Sequence, residues 1–212
     1  MLKVPGKYFD RLPSTFKTDS SEISDPVQIA DHFAKYFTNI VPSLAKKIPH
    51  ANKSHKCFLP VKLVNSIFFE PVSENEVIEI CRSFRSSAAP GYDKVSMGVV
   101  KEIIDVISYQ LAGIFNLSIN SGMVPHQLKM ARVIPLYKSG EHGIFTNYRP
   151  ISILPAFSKI LEKVIYNRLL IFLNKYNILS DSQYGFRKHH STVYALTHLY
   201  DKISSSIDNM QF

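Results

Sequence analysis

Apolar side chains return every three or four residues over most of this chain, and capping residues mark where the runs begin. Asp25-Pro26 opens the first run: the carboxylate can accept from free first-turn amides, and proline at the first helical position loses no hydrogen bond. Ile29, Phe33, Phe37 and Ile40 then form its apolar face. Ser73-Glu74-Asn75-Glu76 is a capping box with Val72 and Val77 at the staple positions, and Val77, Ile80, Cys81 and Phe84 continue the stripe. Val100, Ile103, Ile104, Ile107, Leu111, Ile114 and Phe115 predict a longer helix that Gly122 stops. Pro155 starts another, with Phe157, Leu161, Val164, Ile165, Leu169, Phe172, Leu173 and Tyr176 inward and Lys159, Lys163, Asn167 and Lys175 mostly outward. Ser191 caps a last helix carrying Leu196, Leu199, Ile203 and Ile207.

Between these runs the period changes. Ala131 to Lys138 (ARVIPLYK) is short and β-branched, and Pro135 confines it to an edge. SGEHGIFTN follows as a loop, and Tyr148 to Leu154 reads as the return strand of a hairpin. The fold class is therefore α+β, mainly helical. SSAAPGYD at 86–93 is turn chemistry, and residues 1 to about 24 read as an extended lead-in. A basic stretch without period, KKIPHANKSHKCFLPVK at 46–62, shifts the composition and places a boundary between residues 1–62 and 63–212.

Composition narrows the possibilities. With 212 residues, 45% hydrophobic and 12% aromatic, the chain can fill a core, which excludes a wholly disordered protein. Twenty-five Lys and Arg against 17 Asp and Glu leave a net charge of +8, suited to polyanions such as nucleic acid or acidic lipid. Two cysteines, Cys57 and Cys81, cannot build a disulfide framework or a four-cysteine zinc site, so a reducing compartment is expected. The amino terminus lacks an apolar core and a cleavage site, so no secretory signal is expected there. Val106 to Leu128 carries no formal charge, yet Ser108, Gln110, Asn116, Ser118, Asn120, Ser121 and Pro125 make it an amphipathic helix and turn rather than a membrane span.

Candidate chemistry is sparse. Two-metal phosphoryl transfer needs carboxylates converging on cations about 3.5–4 Å apart. Here the acidic residues are dispersed, and Asp201 and Asp208 fall on the polar side of the last helix. His189-His190 cannot both face one metal from a simple helix or strand. There is no Gly-x-Ser-x-Gly, Walker loop or dinucleotide-binding glycine pattern. No metal site is supported, and no cofactor is expected on this chain.

What remains is cationic. Lys138 ends one strand and Arg149 begins the next, so both stand near the loop end of the hairpin. A lysine point charge with an arginine fork suits a triphosphate; the same residues serve equally as two solubilising charges. Arg187-Lys188-His189-His190 is either a basic loop for a nucleic-acid backbone or an ordinary solvent-facing segment. Gln183 and Gly185 share that loop, where glycine most simply relieves backbone strain.

The run ARVIPLYKSG…NYRPISILPAFSKILEKVIYNRL followed by QYGFRKHHST resembles the reverse transcriptase of non-LTR (LINE-type) retrotransposons, the jockey-like branch above all. Ala89 to Asp93 resembles the family's PG-x-D block, Ser118 to Lys129 the element that follows, and DPVQIADHFAKYFTNI the stretch upstream of the polymerase. The resemblance covers roughly residues 25 to 212. It implies the fingers and start of the palm of a right-hand polymerase behind a helical amino-terminal extension. Lys138 and Arg149 would then contact the incoming nucleoside triphosphate. Gln183, Gly185 and Arg187 would shape the template path and active-site floor.

In the family, the strand bearing the first catalytic aspartate follows a helix like the one ending here near Ile207, and a Tyr-x-Asp-Asp turn comes later. Neither block is in this sequence, so residues 63–212 read as a partial reverse transcriptase domain, inactive alone. The implied partners are an RNA template, a DNA primer or RNA–DNA hybrid, a dNTP, and the remaining palm and thumb. Mg2+ is expected only for the complete polymerase. The rivals are a non-catalytic nucleic-acid-binding protein derived from such an element and a helical interaction module.

Overall fold

A computed structural model of the chain describes residues 12–18, 21–49 and 65–209. The boundary at 62/63, most of the basic stretch at 46–62 and the first residues of the amino terminus lie outside the described residues. Among the described residues the fold is mainly helical α+β with two small antiparallel sheets. Two compact units divide it: residues 1–66 with 70–162, and residues 67–69 with 163–212.

In the first unit, α1 (Pro26–Ala45) begins where expected, with the Asp25 carboxylate accepting from the Gln28 amide at 3.0 Å. α2 (Glu74–Ser83) is capped by Ser73, whose hydroxyl accepts from the Glu76 amide at 3.2 Å. It packs along α3 (Met97–Ser121), which Gly122 ends in the left-handed conformation, φ 67°. The buried line of α3 runs through Met97, Val100, Ile104, Ser108, Leu111, Phe115 and Ser118. Ile103 and Ile114, expected inward, are exposed: each sits one residue, about 100° around the helix, from that line. Small serines occupy the covered face instead. No described helix is long and apolar enough to cross a membrane.

The amino-terminal lead-in departs from its reading. β1 (Phe16–Lys17) pairs antiparallel with β2 (Glu22–Ile23), and Phe16 is completely buried. Phe16, Ile29, Phe33, Phe145 and Tyr148 form one core cluster, joining β1 and α1 to the expected loop and to the residue that follows it. After α4 (His126–Lys129) comes the predicted hairpin, β3 (Arg132–Tyr137) with β4 (Tyr148–Ile153). Its connection holds a single 3-10 turn at Phe145–Asn147.

α5 (Ala156–Lys175) starts after Pro155 as expected and runs from the first unit into the second. Ala156, Ile160, Leu161 and Val164 are buried, Leu169 is exposed, and Lys159 is half-buried rather than outward. In the second unit, a loop leads to α6 (Thr192–Asp208), capped by Ser191 accepting from the Tyr194 amide at 3.3 Å. α6 buries no residue, and Ile203, Ile207 and the loop residue Phe186 are all exposed.

Candidate functional site

The hairpin register decides how Lys138 and Arg149 relate. Leu136 faces Arg149 and Tyr137 faces Tyr148 across the ladder, and the Lys138 amide donates to the Asn147 carbonyl at 2.8 Å. Side chains alternate with period two, so Lys138, Leu136 and Arg149 share one face while Tyr137 and Tyr148 take the other. Lys138 and Arg149 are diagonal neighbours, a relation that typically separates side chains by about 7–8 Å. Both are exposed, and neither has an ion-pair partner among the described residues.

The turn between them is stiffened by its own side chains. The Tyr137 hydroxyl donates to the Gly140 carbonyl at 2.5 Å, Tyr148 to the His142 carbonyl at 2.7 Å, and the Asn147 amide to the Glu141 carbonyl at 2.8 Å. The Tyr137 and His142 rings stack with centroids 3.9 Å apart. Gly140 has φ 98°, and a Cβ there would meet the Asn147 side-chain nitrogen at 2.6 Å. Burial raises the Tyr148 phenol pKa above its ordinary value, with a smaller push from Tyr137. The sequence SGEHGIFTN reads as a plain loop. Only its Gly, Asn and His content hinted at side-chain closure.

The PG-x-D block at 89–93 is pinned from several sides. Arg132 donates to the Pro90 carbonyl at 3.2 Å, Lys159 to the Ala89 carbonyl at 2.7 Å, and Tyr92 to the Gln127 carbonyl at 3.2 Å. The Asp93 carboxylate accepts from the Val95 amide at 3.1 Å, an Asx-type turn. Burial lowers the Lys159 pKa, although Asp93 and Glu162 oppose the shift. Burial likewise raises that of Glu162, with Lys159 opposing. This block braces the base of the hairpin, and Lys159 is a member that sequence reasoning missed.

In the second unit, Gln183, Gly185 and Arg187 come together in one turn. The Gln183 amide and the Arg187 guanidinium both donate to the Ser180 carbonyl, at 3.0 and 2.9 Å. The Gln183 side chain donates to the Gly185 carbonyl at 3.4 Å. The left-handed residues here are Phe186 and His189, with φ 61° and 62°, not Gly185. The expectation that Gly185 relieves strain is therefore corrected: its neighbour carries the unusual backbone, and a Cβ at 185 would meet no atom within 4 Å. Tyr184 hydrogen-bonds to His198 Nδ1 and so ties this turn to α6.

Among the described residues, no group of three or more His, Cys, Asp or Glu is placed to hold a metal ion. Instead, Lys138 and Arg149 stand exposed on one face of a braced tip, without an ion-pair partner among the described residues.

No family model matches the chain. Its homologues are RNA-directed DNA polymerases of jockey-like and other non-LTR retrotransposons. It is 33% identical over 156 residues to the probable RNA-directed DNA polymerase from transposon BS of Drosophila melanogaster, covering 73% of this chain and 17% of that protein. The polymerase from mobile element jockey of Drosophila funebris is 27% identical over 187 residues, covering 84% of this chain and 20% of its own length. The probable polymerase from transposon X-element of Drosophila melanogaster is 28% identical over 145 residues, or 68% and 16%. The chain thus spans a fifth or less of the length of these curated relatives.

Proposed function

We propose that this chain supplies the fingers and the start of the palm of a non-LTR retrotransposon reverse transcriptase, and that Lys138 and Arg149 grip the triphosphate of the incoming dNTP. The observation that carries the reading is their placement: exposed, without an ion-pair partner among the described residues, on one face of the hairpin and diagonal across a braced turn. A phosphate chain can bridge diagonal neighbours, with the ammonium as a point charge and the guanidinium as a fork. The turn at Gln183, Gly185 and Arg187 lies on the template side and the active-site floor, and residues 1–62 precede the polymerase proper as an extension. In the whole enzyme, nucleotidyl transfer draws on two magnesium ions, held on this reading by aspartates outside these 212 residues. This chain's part is to bind and orient the nucleotide, the RNA template and the DNA primer.

The test uses the chain joined to the remaining length of a jockey-type polymerase, with primer extension on an RNA template. Arg149→Ala is expected to raise KM for dNTP about tenfold while leaving RNA affinity nearly unchanged. An unchanged KM would remove the reading. The net charge of +8 favours a second one, a non-catalytic nucleic-acid-binding protein derived from such an element. There the same substitution weakens RNA binding and flattens its salt dependence.

A further inference from the structure

The segment upstream of the cationic hairpin is fastened to the hairpin's turn. The Lys17 amide donates to the Gly143 carbonyl at 2.8 Å, and Lys17 and Ile144 form a parallel bridge. The Lys17 ammonium lies 2.5 Å from the Glu141 carboxylate. One residue earlier, Phe16 stacks on Phe145 with centroids 4.8 Å apart and meets Tyr148 at 5.6 Å. Phe33 of α1 closes on the same two rings at 4.7 and 5.2 Å. Phe145 lies within the turn that joins Lys138 to Arg149, and Tyr148 is the immediate neighbour of Arg149. The turn cannot swing without breaking these contacts.

We infer that β1 and α1 act as a clamp that sets the geometry of Lys138 and Arg149, with Phe16 and the Lys17–Glu141 pair as positioning residues for triphosphate binding. The inference rests on the triphosphate reading above. Its physical ground is pre-organisation: cations held in place before the ligand arrives lose less freedom on binding it than cations on a mobile loop. The pair is half-exposed and contributes little to global stability, so its effect is local to the turn.

Charge reversal separates the clamp from simple attraction. In the 212-residue chain, Glu141→Lys makes a basic protein more basic, so attraction alone predicts tighter binding of a triphosphate. The clamp predicts the opposite. With dATP as the probe in a 31P NMR titration, Glu141→Lys and Lys17→Glu are each expected to weaken binding about twofold to fivefold. Amide exchange at Lys138 and residues 143–147 should rise by the same factor. The double exchange K17E/E141K should restore both, while the amides of α2 and α3 stay protected throughout and show that the fold is intact. Phe16→Ala should loosen the same turn amides by tenfold or more.

Unchanged turn exchange in both single variants, or dATP binding by Glu141→Lys as tight as wild type or tighter, overturns the clamp. Arg149→Ala is run beside them. If it leaves dATP affinity unchanged, or if wild type binds no dATP, the triphosphate reading fails, whatever the exchange data say of the clamp.

Discussion

Gly91 lies against Pro155 so closely that a Cβ at position 91 would come within 2.6 Å of the proline nitrogen and 2.7 Å of its Cα. Pro155 is the residue from which α5 departs, and Gly91 is the centre of the block that Arg132 and Lys159 hold by its carbonyls. This one approach fixes the start of α5 and the base of the hairpin together. Backbone cannot yield as a flexible side chain would. Gly91→Ala is therefore expected to cost about 2–3 kcal/mol, the upper range for overpacking. A urea midpoint unchanged from wild type would show that the approach is not kept in solution.

Asn116 makes a second long-range tie. Its side chain accepts from the Val72 amide at 2.6 Å and donates to the Val72 carbonyl at 3.0 Å, anchoring the segment that enters α2 on the flank of α3. Asn116→Ala leaves both backbone groups without that partner, and a loss of about 2 kcal/mol is expected. Asn116→Asp keeps the acceptor for the amide but offers nothing to the carbonyl, so it should recover only part of the loss. Equal stability of the alanine variant and wild type in urea titration would refute this.

Much of the local architecture was legible because it depends on neighbours in sequence. Asp25, Ser73 and Ser191 cap the helices they were expected to cap, Gly122 ends α3, and the change of period marks the hairpin. What escaped depends on partners far along the chain. Phe16 stands in a stretch with no period, and rings distant in sequence, Phe33, Phe145 and Tyr148, make it core. Lys159 looked outward on a helical wheel, yet its stem is half-buried because a carbonyl 70 residues earlier receives its ammonium. At the candidate site, the charges at Lys138 and Arg149 were readable, but their shared face follows from a register that only pairing fixes.

Tyr148 gives a prediction in pH. Burial raises its phenol pKa above the ordinary 10.0, and its hydroxyl donates to the His142 carbonyl. A raised acid keeps its proton in the folded chain at a pH where the unfolded chain has released it. Its contribution to stability is thus complete below about pH 10 and is lost as pH rises beyond that. Tyr148→Phe removes both the hydrogen bond and the titration. It should cost about 1 kcal/mol at neutral pH, and the difference from wild type should shrink as the pH rises past the ordinary phenol value of 10.0. A difference that stays constant over that rise would mean the phenol ionises alike in both states.

The last prediction concerns Lys138 and Arg149 acting as a pair. If one phosphate chain spans both, each substitution to alanine should weaken dATP binding about tenfold, the scale of a lost charge-assisted hydrogen bond. The double variant should lose less than the product of the two, because the second cation is worth less once the first no longer orients the ligand. Single-stranded RNA supplies the contrast. There each neutralised phosphate contributes about −0.7 to the slope of log affinity against log salt. On the polymerase reading, the RNA slope should be nearly the same for wild type, Lys138→Ala and Arg149→Ala, since these residues serve the nucleotide. On the nucleic-acid-binding reading, each variant should flatten the slope by about one contact's worth and leave dATP binding weak and unaltered. Titrations of both ligands at two salt concentrations separate the readings. Additive losses for dATP together with an unchanged RNA slope would mean that the two cations act independently, against a shared phosphate chain.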